Sequence, residues 1–171
     1  EKAPLHALPQ LFFRNTWTWN ENRKKPQMNA GTKPGEIVIE HPKLGKMHAA
    51  FDGDAKFLWC ENETNVERLY GEERNGNVYK DGINDYIVEG KEHAVRESSP
   101  GTKVAAHHEL TVEAGKSAVI RVRLSRDHQT KPFDDFEEII ATRQKEADEF
   151  YATHQKGIED EDIRLIQRQA W

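Results

Sequence analysis

The sequence predicts a mainly β fold: an antiparallel β-sandwich over residues 1–130, followed by C-terminal helices over residues 131–171. Three observations carry this. Apolar residues alternate at period two in several short runs before residue 130, clusters of Gly, Pro, Asn and Asp separate those runs, and after Pro132 the apolar period lengthens to about 3.6. Strands first and helices last is the order of segregated layers, in which two sheets close on each other and the helices pack elsewhere.

Each element follows from its own pattern. Phe13, Asn15, Trp17 and Trp19 alternate with Arg14, Thr16 and Thr18, as a half-buried strand requires. Residues 37–41 and 47–51 flank the turn-prone Pro42-Lys43-Leu44-Gly45, and Asp52-Gly53-Asp54 leads into residues 55–60, so a three-stranded meander is expected. Phe57-Leu58-Trp59-Cys60 is apolar on both faces, which places it centrally in a sheet or between layers. Asn75-Gly76-Asn77 reads as a further turn and residues 83–88 as a further strand. Val104, Ala106, His108, Leu110 and Val112 alternate with polar or small residues up to a turn at Ala114-Gly115-Lys116. The return strand puts Ala118, Ile120, Val122 and Leu124 inside and Arg121 and Arg123 outside, predicting a hairpin with one wet face. Phe133, Phe136, Ile140, Ala147 and Phe150 form one helical stripe, opened by Pro132 and by Asp134, Asp135, Glu137 and Glu138, which complement the helix dipole. Asp160 caps a second helix that turns Ile163 and Ile166 inward.

At 171 residues the chain is long enough for one domain with a real core. Its net charge of -5 argues against nucleic acid as a partner, which needs clustered Lys and Arg to displace counterions, and Arg23-Lys24-Lys25 reads as a solvated run. No apolar run approaches the ~20 residues of a membrane span. Cys60 is the single cysteine and sits between Trp59 and Glu61 on an apolar strand, so it is expected to be a buried, inert thiol. Together with the lack of a signal-peptide pattern, this leads to the expectation of a cytoplasmic setting. The chain opens at Glu1 and stops inside an amphipathic stretch, residues 160–171, without a helix stop signal, and it reads as a fragment of something larger.

The chemistry concentrates in two polar loops, Glu61-Asn62-Glu63-Thr64-Asn65 and Lys80-Asp81-Gly82-Ile83-Asn84-Asp85. Carboxylates and amides at this density offer directional acceptors and donors that match sugar hydroxyl pairs. Asn15, Trp17, Glu61, Asn62, Glu63, Asn65, Lys80, Asp81, Asn84 and Asp85 are the candidate residues for substrate binding or for contact with another domain. A glycosidase needs two opposed carboxylates across the scissile bond, for which Glu61, Glu63, Asp81 and Asp85 are the available acids, and Glu61 and Glu63 share a face of an extended chain. Acids in strand-end loops ordinarily serve turns and surface hydrogen bonds, so no catalytic residue is assigned.

Other chemistries fit less well. Asp52-Gly53-Asp54 begins like a calcium loop, but Lys56 and Phe57 stand where an oxygen ligand and a glycine are required. His107 and His108 alternate across a strand and cannot both face one ion, so no metal is expected and His108 reads as a satisfied core or interface residue. Burial disqualifies Cys60 as a nucleophile, Ser98-Ser99-Pro100-Gly101 is no nucleophile elbow, and no cofactor motif occurs. Trp17, Trp19, Trp59 and Tyr70 or Tyr86 could serve as sugar-stacking platforms, although at strand spacing such residues are more often core. Asn62-Glu63-Thr64 matches a glycosylation acceptor, relevant only in a secretory compartment.

Leu11-Phe12-Phe13-Arg14-Asn15-Thr16-Trp17, Cys60-Glu61-Asn62-Glu63-Thr64-Asn65 with Glu67-Arg68-Leu69, and Lys80-Asp81-Gly82-Ile83-Asn84-Asp85-Tyr86 occur in this order. Gly101-Thr102-Lys103, Glu146-Ala147-Asp148-Glu149-Phe150-Tyr151 and Arg168-Gln169-Ala170 follow. Over nearly the whole chain these motifs resemble the N-terminal part of large bacterial proteins similar to glycoside hydrolase family 63. The resemblance implies a β-sandwich of the super-sandwich type packed on a following (α/α)6 barrel, which would carry the acid and base and cleave α-glucosidic bonds with inversion. It implies that the fragment alone is inactive and that its polar loops meet the barrel or rim its substrate entrance. The helix after Pro132 would then be a linker and residues 160–171 the start of the first barrel helix. The alternatives are an autonomous carbohydrate-binding module that takes α-glucosides or oligosaccharides, and an interaction domain that self-associates through its terminal helices.

Overall fold

The computed structural model describes residues 2–20, 22–71, 76 and 78–171. The chain divides into two compact units, Glu1–Thr130 and Lys131–Trp171.

The first unit holds two antiparallel sheets. The second of these in chain order contains β3 (Gln27–Ala30), β4 (Glu36–His41), β5 (Gly45–Phe51) and β8 (Val122–Ser125), in the order β3-β4-β5-β8. The expected hairpin over Pro42 to Gly45 is present, as β4 with β5. The other sheet is organised by the ten-residue β7 (Lys103–Val112). On one edge β7 pairs with β1 (Ala3–Ala7) and then β2 (Gln10–Phe12), which keep a common register and so form one strand interrupted at Leu8 and Pro9. The Ala106 N–H donates to Pro9 O at 2.9 Å across the gap. On the other edge β7 pairs with β6 (Lys56–Cys60).

Met28, Ile37, Ile39, Met47, Ala49 and Phe51 from one sheet and Trp59, Val104 and Ala106 from the other form the core between them. Each fully buried side chain of this size contributes about 1.5–3 kcal/mol relative to exposure. A second apolar cluster covers the opposite face of the β7 sheet, where Leu58, Cys60 and Ala105 meet Val78, Ile83 and Val95. Phe57-Leu58-Trp59-Cys60 therefore lies between layers, as its two apolar faces predict.

Four expectations are corrected. First, residues 13–16 form no strand, and Trp17–Trp19 is a single 3-10 turn. Asn15 Oδ1 accepts from both the backbone N–H and the hydroxyl of Thr18, bending the chain that alternation alone would have extended. Second, residues 83–88 belong to a helix, α2 (Gly82–Glu89), closed by Gly90 at φ 66. Ile83, Tyr86 and Ile87 recur at helical spacing and turn together onto the second cluster. Third, β6 leaves the β4-β5 sheet through Asp52-Gly53-Asp54 and joins β7, so no three-stranded meander forms. Fourth, β7 and β8 are not a hairpin, because β8 pairs with β5. Both faces of β7 are covered from Val104 to His108, while Val122 and Leu124, opposite Phe51 and Ala49, overhang a sheet edge and are 41% and 54% exposed. Among the remaining calls, Asn75 and Asn77 of the expected Asn75-Gly76-Asn77 turn lie outside the described residues. His108 is buried as expected, but its Nε2 has no hydrogen-bond partner among the described residues.

In the second unit α3 (Phe136–His154) starts three residues after Phe133, with Glu137 and Glu138 in its first turn. Asp160 caps α4 (Glu161–Ala170) by accepting from the Ile163 N–H at 3.1 Å. The two helices meet through an Arg168–Asp148 ion pair at 2.6 Å, the Arg168 guanidinium over the Tyr151 ring, and the Phe150, His154 and Trp171 rings. Neither helix contains a buried residue: Ile163 and Ile166, expected inside, are 52% and 65% exposed. Among the described residues, no helix is long and apolar enough to cross a membrane.

Candidate functional site

The two polar loops lie beside each other. Glu61 N–H donates to Val78 O at 2.8 Å and Lys80 N–H to Glu63 O at 3.4 Å, so the segment before α2 runs along the segment after β6. The candidate residues then separate into two groups.

The first group gathers around Thr102, which is buried against Cys60. Its hydroxyl donates to Glu61 Oε2 at 2.8 Å and accepts from the Asn62 N–H at 2.7 Å, while Arg96 holds Glu61 Oε1 at 2.9 Å. Asn62 and Asn15 exchange bonds between the loop and the chain after β2: Asn62 Nδ2 donates to Phe13 O and Asn15 Nδ2 to Asn62 O. Trp17 is 6% exposed and donates through Nε1 to Glu63 Oε1 at 2.9 Å, an oxygen that also takes Lys25 Nζ at 2.6 Å. Burial pushes the Glu63 carboxyl up, but the Lys25 and Trp17 hydrogen bonds outweigh it and hold it below its usual range.

The second group centres on Arg68. Asn65 caps the short helix α1 (Val66–Tyr70) by accepting the Arg68 N–H, and its amide donates to Asp81 at 3.0 Å. The Arg68 guanidinium then pairs with Asp81 at 2.7 Å and with the buried Asp85. The Arg68 hydrogen bond is the main reason the Asp85 carboxyl lies below its usual value, outweighing its burial; a side-chain bond from Asn84 adds to it. These residues, with Lys91 and His93, line a cleft of about 310 Å³. Lys80 and Asn84 are exposed beside it.

The structure thus brings Asn15, Trp17, Glu61, Asn62 and Glu63 together, and separately Asn65, Asp81 and Asp85. Trp17 and Trp59 are core residues and present no sugar platform, whereas Trp19 is 63% exposed with the Arg14 guanidinium 5.1 Å from its ring centre. Sequence reasoning on loop acidity missed the partners Lys25, Arg68, Arg96 and Thr102. Arg68 and Thr102 stood within the quoted motifs, but their part in the site depends on contacts across 13 to 41 residues of chain.

This is a two-sheet antiparallel β domain with a polar, internally bonded loop surface, followed by a helical pair. The chain is similar to the uncharacterized protein YMR196W of Saccharomyces cerevisiae, at 28% identity over 207 aligned positions that cover 100% of the chain and 19% of that protein. The chain therefore spans about a fifth of the length of this relative. No protein-family profile matches the chain, and no solved structure matches it.

Proposed function

We propose that this chain is a non-catalytic β-sandwich domain of a larger glycoside hydrolase similar to family 63, one that buttresses a catalytic domain and shapes the approach to it. The observation that carries this reading is that each acid of the two loops is held within the domain: Glu61 by Arg96 and Thr102, Glu63 by Trp17 and Lys25, and Asp81 and Asp85 by one Arg68. Inverting hydrolysis needs one acid free to protonate the leaving-group oxygen and an opposed carboxylate free to activate a water. Carboxylates whose oxygens are engaged, in two separate groups, by Arg, Lys, Trp and Thr side chains of their own domain are not left free for those two roles, but they offer a fixed polar surface to another domain. The helical unit exposes Ile163, Leu165, Ile166 and Trp171, and the relative's much greater length supplies room for further chain to cover them. A lone buried thiol fits a reducing, cytoplasmic setting.

The test compares the 171-residue chain with a full-length protein containing it, on a panel of α-glucosides. Glucose release by the long protein alone is expected. Hydrolysis by the short chain sinks the scaffold reading, and failure of the long protein on every α-glucoside sinks the hydrolase class. Saturable heat on titrating the short chain with malto-oligosaccharides would favour the carbohydrate-binding module, with the Arg68 cleft as the place to look.

A further inference from the structure

A separate constellation stands at the far end of the β7 sheet. His6 of β1 lies directly opposite Glu109 of β7, and directly paired residues share a face. His107 lies two residues before Glu109 and so shares that face as well. His108 points the other way. One ring nitrogen from each histidine and one carboxylate oxygen lie within 4.8 Å of one another. His6 Nδ1 and His107 Nε2 are 2.7 Å apart, the rings stack at 5.0 Å, and Glu109 Oε1 is 3.9 Å from His107 Nε2.

We infer that His6, His107 and Glu109 form a binding site for a divalent transition cation, Zn²⁺ by its donor set. Two imidazoles and one carboxylate are ligands that zinc accepts, and three protein ligands leave a fourth position open to water. Calcium and magnesium require oxygen shells that this group does not offer. Zinc–nitrogen bonds of about 2.0–2.1 Å put two tetrahedral ligand nitrogens roughly 3.3 Å apart. The two rings must therefore open by about half an ångström from their present N–H···N bond, a shift available to the exposed His6 on an edge strand. His107 is fixed: it is 6% exposed, and Tyr86 of α2 stands edge-on to its ring. Lys56 sits opposite His107, but its ammonium is held by Tyr86 Oη at 3.0 Å and Glu97 at 3.1 Å.

The test uses the whole chain after chelator dialysis, titrated calorimetrically with ZnCl₂ and followed by Co²⁺ absorption. One equivalent is expected to bind, with tetrahedral cobalt bands and a raised Tm. His6→Ala and Glu109→Gln should each weaken binding by at least the roughly 10–100-fold that loss of even an outer partner costs, while His154→Ala leaves it unchanged. Both substituted side chains are exposed, so folding is retained, and far-ultraviolet circular dichroism checks it. Absence of saturable binding to the unsubstituted chain, or equal affinity in folded His6→Ala and Glu109→Gln, overturns the assignment.

Discussion

Trp17 Nε1 donates a 2.9 Å hydrogen bond to Glu63 Oε1, and this contact fastens the chain after β2 to the loop after β6. The indole is buried and the acceptor is charged, the combination in which one hydrogen bond contributes about 1.5–3 kcal/mol. Trp17→Phe should cost that much in urea unfolding, with the m-value unchanged. Lys25→Met removes a half-exposed ammonium from the same oxygen and should cost less than about 1 kcal/mol. A larger loss for Lys25→Met than for Trp17→Phe would contradict the assignment.

Acid should loosen the domain through three carboxylates. Asp85, Glu63 and Glu36 have folded-state pKa values below their ordinary 3.8, 4.5 and 4.5. Burial pushes Glu36 up, but the Lys33 backbone N–H and His128, whose Nε2 is 2.6 Å away, bring it down. A depressed carboxylate binds fewer protons folded than unfolded, so its stabilising contribution is complete above the ordinary value and is lost as pH falls through the folded one. These three carboxylates should contribute in full above about pH 5.5 and lose their contribution progressively below about pH 4.5. This comes on top of an earlier decline that begins at about pH 7, where His41 and His107, held below their usual value chiefly by burial, take up protons more readily unfolded than folded. Arg68→Met should move the acid midpoint upward, read by circular dichroism across a pH series.

Burial pushes the Cys60 thiol up to about 12, so almost no thiolate exists at neutral pH. Native protein should resist iodoacetamide, and the labelling rate should rise with urea in step with global unfolding. Fast stoichiometric labelling of the native chain would place this strand at the surface.

Gly82→Ala reverses a familiar sign. In an open helix the change stabilises by about 1 kcal/mol. Here the new Cβ would lie 2.0 Å from the backbone oxygen of Ala94, so α2 or the turn against it must shift. A net loss of about 1–3 kcal/mol in chemical denaturation is expected.

Locally coded parts of the fold were legible. The β4-β5 hairpin, the two-faced burial of β6, the presence of helix α3 after Pro132 and the Asp160 cap all follow from residues a few positions apart, whereas the apolar stripe expected on α3 covers no buried residue. The Phe13 to Trp19 pattern misled because a strand's alternation and an Asx-type turn share the same short string, and the Asn15–Thr18 bonds decide between them. The Ile83 to Val88 run misled because six apolar-rich residues fit either period; Gly90 at the helix end was the available signal. Pairing partners were illegible wherever strands met across long stretches of chain, as β5 with β8. Of the candidate site, loop acidity marked residues that the structure gathers into two groups, whereas the cations that pair with them arrive from elsewhere in the sequence.

The placement of β7 governs when this domain can assemble. β1, β2 and β6 all find their backbone partner in one strand that begins at Lys103. During synthesis at about 5–20 residues per second, those earlier segments leave the ribosome several seconds before that partner does. The β4-β5 ribbon can close at once, but the Trp59 side of the core must wait, and such non-local closure is slow. Until then the nascent chain carries unpaired apolar strands, which makes the interval before Lys103 emerges the period when chaperone capture and misassociation compete with folding.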